Sequence, residues 1–361
     1  MSWRICSLGG ALFAMLFGAG NIIFPLILGR ALESSTPFAM IGFCLTAVGI
    51  PMIGYISVML AQGDYGIFLG KLGRIPGLIL GLLCMTLLGP LGATPRCIAI
   101  AHADLSWYLP NLSSWLFSLL AACVIWICTF RKNNVMNLIA RFLAPTKIIC
   151  LLSIVVFGLL DYKTPKLSTV SPTASFWEGF TGGYSTMDLL AIIFFSHMIF
   201  QSMGKDPKNQ SIVRDAFAIS IVAGILLTLV YVGFAGIAAM HGPHLVGIAD
   251  DMLLSGLASL LLGPIAGLFA NITIVLTCLT TAIALTASFA DFLSRYVFRD
   301  RLSYRTAVTF TVISSALLAN LKLAGIMQLI MPVISLIYPF LTIFSCLHLL
   351  VGLWKWERPQ G

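Results

Sequence analysis

Long apolar runs alternate with short polar segments along almost the whole chain. A helix needs about 20 mostly apolar residues to cross the hydrocarbon core of a bilayer. By this measure the sequence predicts an all-α protein with ten membrane spans, at residues 8–29, 38–60, 76–101, 112–130, 143–160, 186–203, 215–239, 262–289, 306–320 and 327–352. Segment 244–259 is amphipathic and carries Asp250 and Asp251, so we expect a surface helix there.

Composition supports a polytopic membrane protein with a single domain. Hydrophobic residues make up 59% of the 361 residues and charged residues 9%, against roughly 25% charged residues in soluble domains. No polar stretch is long enough for a second domain, so residues 1–361 are predicted to form one membrane domain. The nine cysteines form no CxxC pair, and we interpret them as small core residues rather than as disulfide or metal sites.

Basic residues orient the predicted spans. With the N-terminus in the cytoplasm, fifteen of the 21 lysines and arginines lie on the cytoplasmic side and four outside, while Arg96 and Lys147 fall within spans. This bias is typical of cytoplasmic loops and predicts that both termini are cytoplasmic. The net charge of +8 is then a basic rim that faces anionic lipid, and no nucleic-acid partner is needed to explain it.

The first span carries a polar interruption at its centre, where Gly18-Ala19-Gly20-Asn21 is followed by Pro25. Lipid cannot hydrogen-bond a backbone that leaves the helix, so such a break survives only against protein or a water-filled cavity. Discontinuous helices of this kind bind substrate and ions in secondary transporters. The alternative is a glycine-rich packing face in which Asn21 forms an interhelical hydrogen bond.

Ten spans divide into five and five, which predicts an inverted repeat. The longest external connection, 161–185, separates a first repeat at 1–160 from a second at 186–353. The sixth span, which corresponds to the first, carries Asp188 and the pair Ser196-His197. Corresponding interruptions in two halves indicate a transport site.

Hydroxyl side chains form a stripe on the eighth span. Thr277, Thr280, Thr281 and Ser288 share a narrow arc of the predicted helix. Together with carbonyls freed by an unwound neighbour, they would give about five oxygens for a small monovalent cation, which needs no carboxylate. The alternative is ordinary: serine and threonine in membrane helices often bond their own i−4 carbonyl.

Ionisable groups within spans are rare and are functional candidates by default. Arg96 follows Pro95 in the third span, and Asp188 is the counter-ion we expect for it, in a structural pair or in gating and coupling. His197 titrates near neutral pH if it is functional, or is a satisfied core histidine. Lys147 is expected to snorkel to the cytoplasmic surface.

Enzyme signatures are missing from the sequence, which has no HExxH, GxSxG or phosphate-binding loop. His241 and His244, near Asp250 and Asp251, resemble metal ligands, but we interpret them as part of a solvated outer loop. We therefore expect a transporter and no enzyme.

The chain resembles the bacterial branched-chain amino acid carriers, the LIVCS family. The resemblance is carried by collinear motifs from the first span to the tenth: Phe17-Gly18-Ala19-Gly20-Asn21-Ile22-Ile23-Phe24-Pro25, Gly89-Pro90 with Ala93-Thr94-Pro95-Arg96, Leu143-Ala144-Pro145 with Lys147-Ile148-Ile149, Gly183-Tyr184 with Thr186-Met187-Asp188, Cys278-Leu279-Thr280-Thr281-Ala282, Ser315 with Asn320-Leu321, and Pro332-Val333 with Ile337-Tyr338-Pro339.

This resemblance implies a LeuT-type five-plus-five fold with helices 1 and 6 discontinuous, in the bacterial cytoplasmic (inner) membrane, that imports leucine, isoleucine and valine with sodium. Sodium would be the coupling ion, with no other cofactor. The ion-binding groups that it implies are the carbonyls of Ala14, Phe17 and Thr277 and the hydroxyls of Thr280 and Thr281.

It also implies a substrate site at the two breaks. Backbone amides after Gly18 would take the carboxylate, because free N–H groups and the helix dipole favour an anion there. Carbonyls of the sixth span would take the ammonium, and aromatic rings would line an apolar pocket. The residues implied are Phe17, Gly18, Ala19, Gly20, Asn21, Phe194, Phe195 and Ser196.

Three departures from the family pattern bear on these expectations. Family members usually continue for about two more spans, a Pro25-Leu26 pair replaces a double proline, and Ala191 and Ser196 stand where glycines are expected. The predicted function is a cation-coupled importer of branched-chain amino acids that works by alternating access. The alternatives are a proton-coupled or exchange carrier for another neutral amino acid, with Asp188 or His197 titrating, a channel, and a membrane-embedded enzyme.

Overall fold

The computed structural model describes residues 3–18, 20–130, 149, 151–204, 211–299 and 301–356, which fold into helices without strands. The α-helices are α1 (Trp3–Leu16), α2 (Gly20–Leu32), α3 (Thr36–Cys44), α4 (Ile50–Leu60), α5 (Tyr65–Gly70), α6 (Arg74–Leu88), α7 (Ala93–Ser106), α8 (Ser114–Phe130), α9 (Leu151–Leu160), α10 (Pro172–Gly182), α11 (Asp188–Met203), α12 (Ser211–Met240), α13 (Leu253–Phe292), α14 (Tyr304–Ala319) and α15 (Lys322–Trp356). Short 3₁₀ turns and two π-helical turns, Leu45–Gly49 and Leu293–Val297, complete the described helices.

Several helical stretches are long and apolar enough to cross a membrane. Within the described residues they are Gly20–Leu60, Arg74–Ser106, Ile212–Met240, Asp250–Val297 and Lys322–Gly352. Helices α10 and α11, with the turn between them, meet the same test as one pair bent by 42°. Helices α1, α8, α9 and α14 are apolar but shorter. The described chain therefore has the length and composition of an all-helical membrane protein, as predicted.

The first predicted span is occupied by two helices, because α1 ends at Leu16 and α2 begins at Gly20. The third predicted span is also divided, since α6 ends at Leu88 and α7 begins at Ala93. The sequence Gly89-Pro90-Leu91-Gly92 lies between them. Proline has no N–H to donate and glycine is poorly suited to a helix interior, so both residue types favour this division.

The sixth predicted span, 186–203, corresponds to α11, and a further helix lies before it within the predicted connection at 161–185. Residues Pro172–Gly182 form α10, which starts where the Ser171 hydroxyl accepts a hydrogen bond from the Ala174 N–H at 3.3 Å. A 3₁₀ turn, Gly183–Thr186, follows, and Met187 has φ of 60° in the left-handed region. Gly179 lets α10 approach α3, since a Cβ there would lie 1.9 Å from the Ala39 carbonyl oxygen.

The predicted surface helix at 244–259 is also corrected. The segment contains two 3₁₀ turns, Gly242–Leu245 and Asp250–Met252, and then the start of α13. Leu253, Leu254 and Leu257 are buried, so this part of α13 packs inward. Gly263, with φ of 77°, then bends the helix before Pro264.

Two groups of helices meet around the division between α1 and α2. Both α1 and α2 pack along α12, while α4 packs against α11. On another side, α7 packs along α13, and α8 and α14 cover them. Residues 131–148, which include Lys147 and the start of the predicted fifth span, lie outside the described residues.

Candidate substrate and ion site

The division between α1 and α2, which we call the α1–α2 break, comprises residues 17–19. The Gly18 N–H, which would bond the Ala14 carbonyl in a continuous helix, donates instead to the Leu16 carbonyl at 2.8 Å and to Oδ1 of Asn21 at 3.2 Å. The Ala14 carbonyl therefore accepts no hydrogen bond from Gly18. A carbonyl that binds an ion would have to be free in this way. Phe17 is buried, and its ring stacks on Phe13 at 5.1 Å. Ala19 lies outside the described residues.

A buried polar cluster joins α2, α11 and α12, and we call its members Asn21, Asp188 and Tyr231 the carboxylate cluster. The Asn21 amide donates to both carboxylate oxygens of Asp188, at 2.9 and 2.7 Å. It also lies 2.5 Å from the Tyr231 hydroxyl, which donates to Oδ2 of Asp188 at 2.9 Å. The three residues are 2%, 1% and 0% exposed. Because Asp188 is the first residue of α11, the positive end of the helix dipole favours its charge.

Arg96 lies in the first turn of α7 and is 4% exposed. Its Nη1 donates to the Ser185 carbonyl at 2.6 Å, and the guanidinium carbon lies 5.4 Å from the centre of the Phe24 ring. A Cβ at Gly20 would lie 2.5 Å from Nη2, so the guanidinium occupies the space that a side chain at the start of α2 would take.

Arg96 and Asp188 do not form the direct ion pair that the sequence predicts. The Asp188 oxygens accept hydrogen bonds from Asn21 and Tyr231, whereas Arg96 donates to the backbone of Ser185. The two charged side chains lie against neighbouring residues of α2. The Arg96 guanidinium lies against Gly20, and the Asp188 carboxylate accepts a hydrogen bond from Asn21. The expectation of a contact pair is therefore wrong for this conformation, although both charges lie at the α1–α2 break.

The threonine stripe of the eighth span lies on α13, and we call Thr277, Thr280 and Thr281 the hydroxyl face. The Thr280 hydroxyl donates to the Thr277 carbonyl at 2.9 Å, and the Ser288 hydroxyl donates to the Ala284 carbonyl at 2.9 Å. These are the local bonds of the ordinary interpretation. The face nevertheless borders the break, because a Cβ at Gly18 would lie 3.6 Å from Cγ2 of Thr281. The predicted sodium site stays a prediction.

The predicted unwinding of the sixth span at Phe194, Phe195 and Ser196 is wrong. All three lie inside α11, and the Ser196 hydroxyl donates to the Ile192 carbonyl at 2.5 Å. At a rise of about 1.5 Å per residue, they lie roughly 10 Å along the helix from its start. Phe194 instead packs with Tyr65 at 5.0 Å. The non-helical backbone next to α11 is at Met187. Methionine is an ordinary apolar residue, so the sequence does not indicate a break at this position.

His197 connects α11 to the turn after α4. Its Nδ1 lies 3.2 Å from the Gly63 carbonyl oxygen, and its Nε2 lies 2.9 Å from Nε2 of Gln201. These bonds are what the core-histidine interpretation predicts, and they are remote along α11 from Asp188.

A cavity of about 540 Å³ lies on the side of the molecule that the charge distribution predicts to be external. It is lined by Phe24, Ile27, Leu28, Glu178, Thr181, Gly182, Ser185, Ala249, Asp250, Asp251, Lys322, Leu323, Ala324, Met327 and Met331. Phe24 and Ser185 also contact Arg96. The cavity therefore reaches the residues that hold the buried guanidinium.

The outer histidines have protein partners. His241 Nε2 lies 3.2 Å from Oδ2 of Asp161, and Lys163 lies 3.3 Å from the same oxygen. These two groups lower the pKa of the exposed Asp161 carboxyl. Asp250 pairs with Arg30. No group of three or more metal-ligating side chains occurs in the part of the chain that the structure describes.

Sequence reasoning missed Tyr231 and Asp104. Tyr231 lies in an apolar run, where a tyrosine is unremarkable without knowledge of its neighbours. Asp104 is fully buried and accepts a hydrogen bond from Ser255. It escaped notice because the third span was predicted to end at 101, whereas α7 continues to Ser106. An acidic residue inside that apolar segment was the available signal.

Comparison with known proteins agrees with the fold and with the predicted resemblance. The sequence matches the family described as "Branched-chain amino acid transport protein" over residues 2–360. It is 31% identical to the branched-chain amino acid transport system 3 carrier protein of Pseudomonas aeruginosa, across 97% of this chain and 81% of that protein. It is 29% identical to the branched-chain amino acid permease BraB of Bacillus subtilis, with the same coverage. The permease BrnQ of Escherichia coli is 28% identical across 93% of this chain and 77% of its own length.

Two solved structures share the fold. The inward-facing conformation of Mhp1 superposes with a TM-score of 0.57 at 13% identity, covering 95% of this chain and 73% of that one. A manganese transporter from Eremococcus coleocola gives 0.61 at 11% identity, covering 99% and 89%. At these identities the likeness concerns the fold alone, which is that of LeuT-type transporters.

Proposed function

Because the chain belongs to the branched-chain amino acid transport protein family, we propose that it is a secondary active transporter that imports leucine, isoleucine and valine together with a cation, by alternating access. Its relatives are named as carriers and permeases, and the chain is a transport protein rather than an enzyme. The observation that carries the proposal is the buried carboxylate cluster, which links the α1–α2 break to the first residue of α11.

We propose ten spans in a five-plus-five inverted repeat, inserted in the cytoplasmic membrane with both termini inside. In this arrangement α1 and α2 form one discontinuous span, and α10 and α11 form its counterpart. The short lengths of α1 and α2 support this pairing, since neither reaches about 20 residues alone. The bend of 42° between α10 and α11 supports the second pair.

The substrate lies, in this proposal, at the N-terminus of α2. A half-helix of 13 residues that starts at the centre of a span presents N–H groups and a positive dipole end to an anionic group. Phe17 and Phe24 are buried on either side of this point and offer apolar surface for a branched side chain. Contact of the substrate with Phe194, Phe195 or Ser196 has less support, because these residues lie within α11.

Sodium is the coupling ion that we favour. The proposed ligands are the carbonyls of Ala14, Phe17 and Thr277 and the hydroxyls of Thr280 and Thr281. Gly18 supports this assignment in two ways. Its N–H does not bond the Ala14 carbonyl, and a Cβ at this position would lie 3.6 Å from Cγ2 of Thr281. The bond from Thr280 to the Thr277 carbonyl leaves lone pairs on both oxygens.

Proton coupling is the second candidate, and a specific observation favours it. Asp188 is a fully buried carboxyl at the junction of three helices, and intramembrane carboxyls commonly serve as proton relays. His197 is a weaker candidate because its two ring nitrogens are engaged by Gly63 and Gln201.

Counterflow of labelled leucine in proteoliposomes tests the proposal. Vesicles preloaded with unlabelled leucine should accumulate the label transiently, and at fixed pH the rate should rise with sodium. Transport that ignores sodium but follows pH would favour the proton-coupled candidate. Equilibration without transient accumulation would instead indicate a channel.

A further inference from the structure

Given the transport function proposed above, we propose that Arg96 binds the α-carboxylate of the substrate, between the start of α2 and the floor of the outer cavity. The first reason is the unused hydrogen-bonding capacity of this buried side chain. Among the described residues Arg96 forms no ion pair, and its buried Nε has no hydrogen-bond partner. A guanidinium has five N–H donors, whereas one bond, to the Ser185 carbonyl, is formed here.

A buried cation without a paired anion is costly, and a bound anion relieves that cost. Asp188 attracts Arg96 electrostatically, but it does not take up the guanidinium N–H groups, because its oxygens accept hydrogen bonds from Asn21 and Tyr231. Carboxylate is the anion that the planar guanidinium fork binds best in a two-point arrangement. The amino acid substrate carries one carboxylate, so it supplies the missing partner.

The position of the guanidinium supports the same assignment. It lies against Gly20, the first residue of α2, where a side chain would collide with it. The positive end of the α2 dipole and the Arg96 charge therefore both attract an anion that binds at the start of α2. Without the glycine, the guanidinium would be displaced from the start of the helix.

Access from the predicted exterior also leads to Arg96. Phe24, whose ring lies under the guanidinium, and Ser185, whose carbonyl accepts from it, line the cavity of about 540 Å³. Arg96 itself does not line the cavity in this conformation. A carboxylate that enters the cavity therefore reaches two residues that contact the guanidinium, and a movement of these residues would expose the guanidinium to it.

The test measures how well unlabelled leucine and isopentylamine displace labelled leucine from the purified transporter. Isopentylamine is leucine without its carboxylate. The wild-type protein should prefer leucine strongly. Arg96→Ala should raise the leucine concentration for half-maximal binding by about 30-fold or more, the usual consequence of removing one partner of a buried charge pair. Isopentylamine binding should change little, so the preference should shrink by a similar factor.

Two further variants keep the proposal testable if Arg96→Ala does not fold. Arg96→Lys keeps the charge but loses the fork, and it should reduce the preference by a smaller factor. Gly20→Ala keeps the arginine and displaces it, and it should reduce the preference as Arg96→Ala does. Arg30→Ala is the matched control, because it removes an arginine that pairs with Asp250 at the outer edge and should leave the preference unchanged.

The outcomes separate this proposal from the proposed function. If the wild-type protein binds no branched-chain amino acid, the transport proposal fails. If it binds leucine, and both Arg96→Ala and Gly20→Ala retain the wild-type preference for leucine over isopentylamine, Arg96 does not bind the carboxylate. A loss of preference in Arg30→Ala of the same size would also overturn the assignment, since any lost cation would then have that effect.

Discussion

The carboxylate cluster and the hydroxyl face lie on two sides of Gly18 and differ in how their oxygens are engaged. On one side, the Asp188 oxygens accept hydrogen bonds from Asn21 and Tyr231, and no member of the cluster is exposed. On the other side, Thr280 bonds a carbonyl of its own helix and Thr281 has no hydrogen-bond partner among the described residues, while both are half-buried. The oxygens of the carboxylate cluster are therefore fully hydrogen-bonded, whereas oxygens of the hydroxyl face keep free lone pairs.

This difference indicates different roles. A saturated buried network holds its members in one arrangement, because each lost bond strands a polar group in a low-dielectric interior. We infer that the carboxylate cluster fixes α2, α11 and α12 relative to one another. An open set of neutral oxygens has free lone pairs and can take a cation without breaking such a network. We infer that the hydroxyl face is the better candidate for a reversible ion site.

The largest effect is expected from Asp188→Ala, which strands the Asn21 amide and the Tyr231 hydroxyl. Each stranded donor costs about 1–3 kcal/mol. The free energy of unfolding should therefore fall by about 2–6 kcal/mol, and the initial rate of leucine uptake should fall steeply because α2, α11 and α12 lose the bonds that fix them. The thermal unfolding temperature in detergent should fall with it. Uptake by a radiolabel assay and unfolding by a thermal-shift assay measure the two effects.

Asp104→Ala is the control for loss of a buried carboxylate in general. Asp104 is also fully buried, but its partner is Ser255, away from the α1–α2 break. This variant should lower the unfolding temperature and leave the leucine affinity unchanged. If Asp188→Ala retains normal uptake, or if the two variants reduce the leucine affinity equally, the carboxylate cluster has no special role.

Much of this site could be predicted from the sequence, but only where one segment carries the signal. Gly18, Gly20 and Asn21 stand out because each is a poor choice for a helix at mid-bilayer, and the structure has its break beside them. The threonine stripe was visible because helical periodicity puts Thr277, Thr280 and Thr281 on one face. Both inferences need no knowledge of distant residues.

What the sequence did not reveal depends on packing between distant segments. The division before α11 occurs at Met187, an apolar residue that takes a left-handed conformation, so its sequence carries no mark of a break. Tyr231 lies 210 positions from Asn21 and 43 from Asp188, and nothing local indicates that they meet. The expected pairing of Arg96 with Asp188 failed for the same reason, because Asn21 and Tyr231 hold the carboxylate instead.

The second prediction concerns the hydroxyl face. Thr280→Val and Thr281→Val keep the side-chain shape and delete the oxygen that we assign to the ion. Loss of one buried polar partner costs about 1–3 kcal/mol, which is roughly a 5- to 150-fold rise in the sodium concentration for half-maximal uptake. Leucine affinity at saturating sodium should change far less. Uptake measured against sodium at fixed pH gives both values.

Thr286→Val is the matched control for the hydroxyl face. Thr286 lies on the same helix, but it is fully buried and its hydroxyl has no hydrogen-bond partner in the part of the chain that the structure describes. Its replacement should leave sodium dependence alone. Wild-type sodium dependence in both Thr280→Val and Thr281→Val would remove the proposed site, and proton coupling through Asp188 would then be the better candidate.

The smallest effect is expected from Tyr231→Phe, which removes the hydrogen bond to Asp188 and the hydroxyl that accepts from Asn21, and leaves both bonds from Asn21 to Asp188. We expect a loss of about 1–2 kcal/mol in the free energy of unfolding and a small fall in uptake, without a change in sodium dependence. Tyr55→Phe deletes an equally buried hydroxyl, which has no hydrogen-bond partner among the described residues. It should leave uptake unchanged, because this hydroxyl forms no bond to the cluster. Equal uptake in the two variants would mean that the cluster contributes to stability alone, whereas a sodium shift in Tyr231→Phe would mean that the two sides of Gly18 form one ion site.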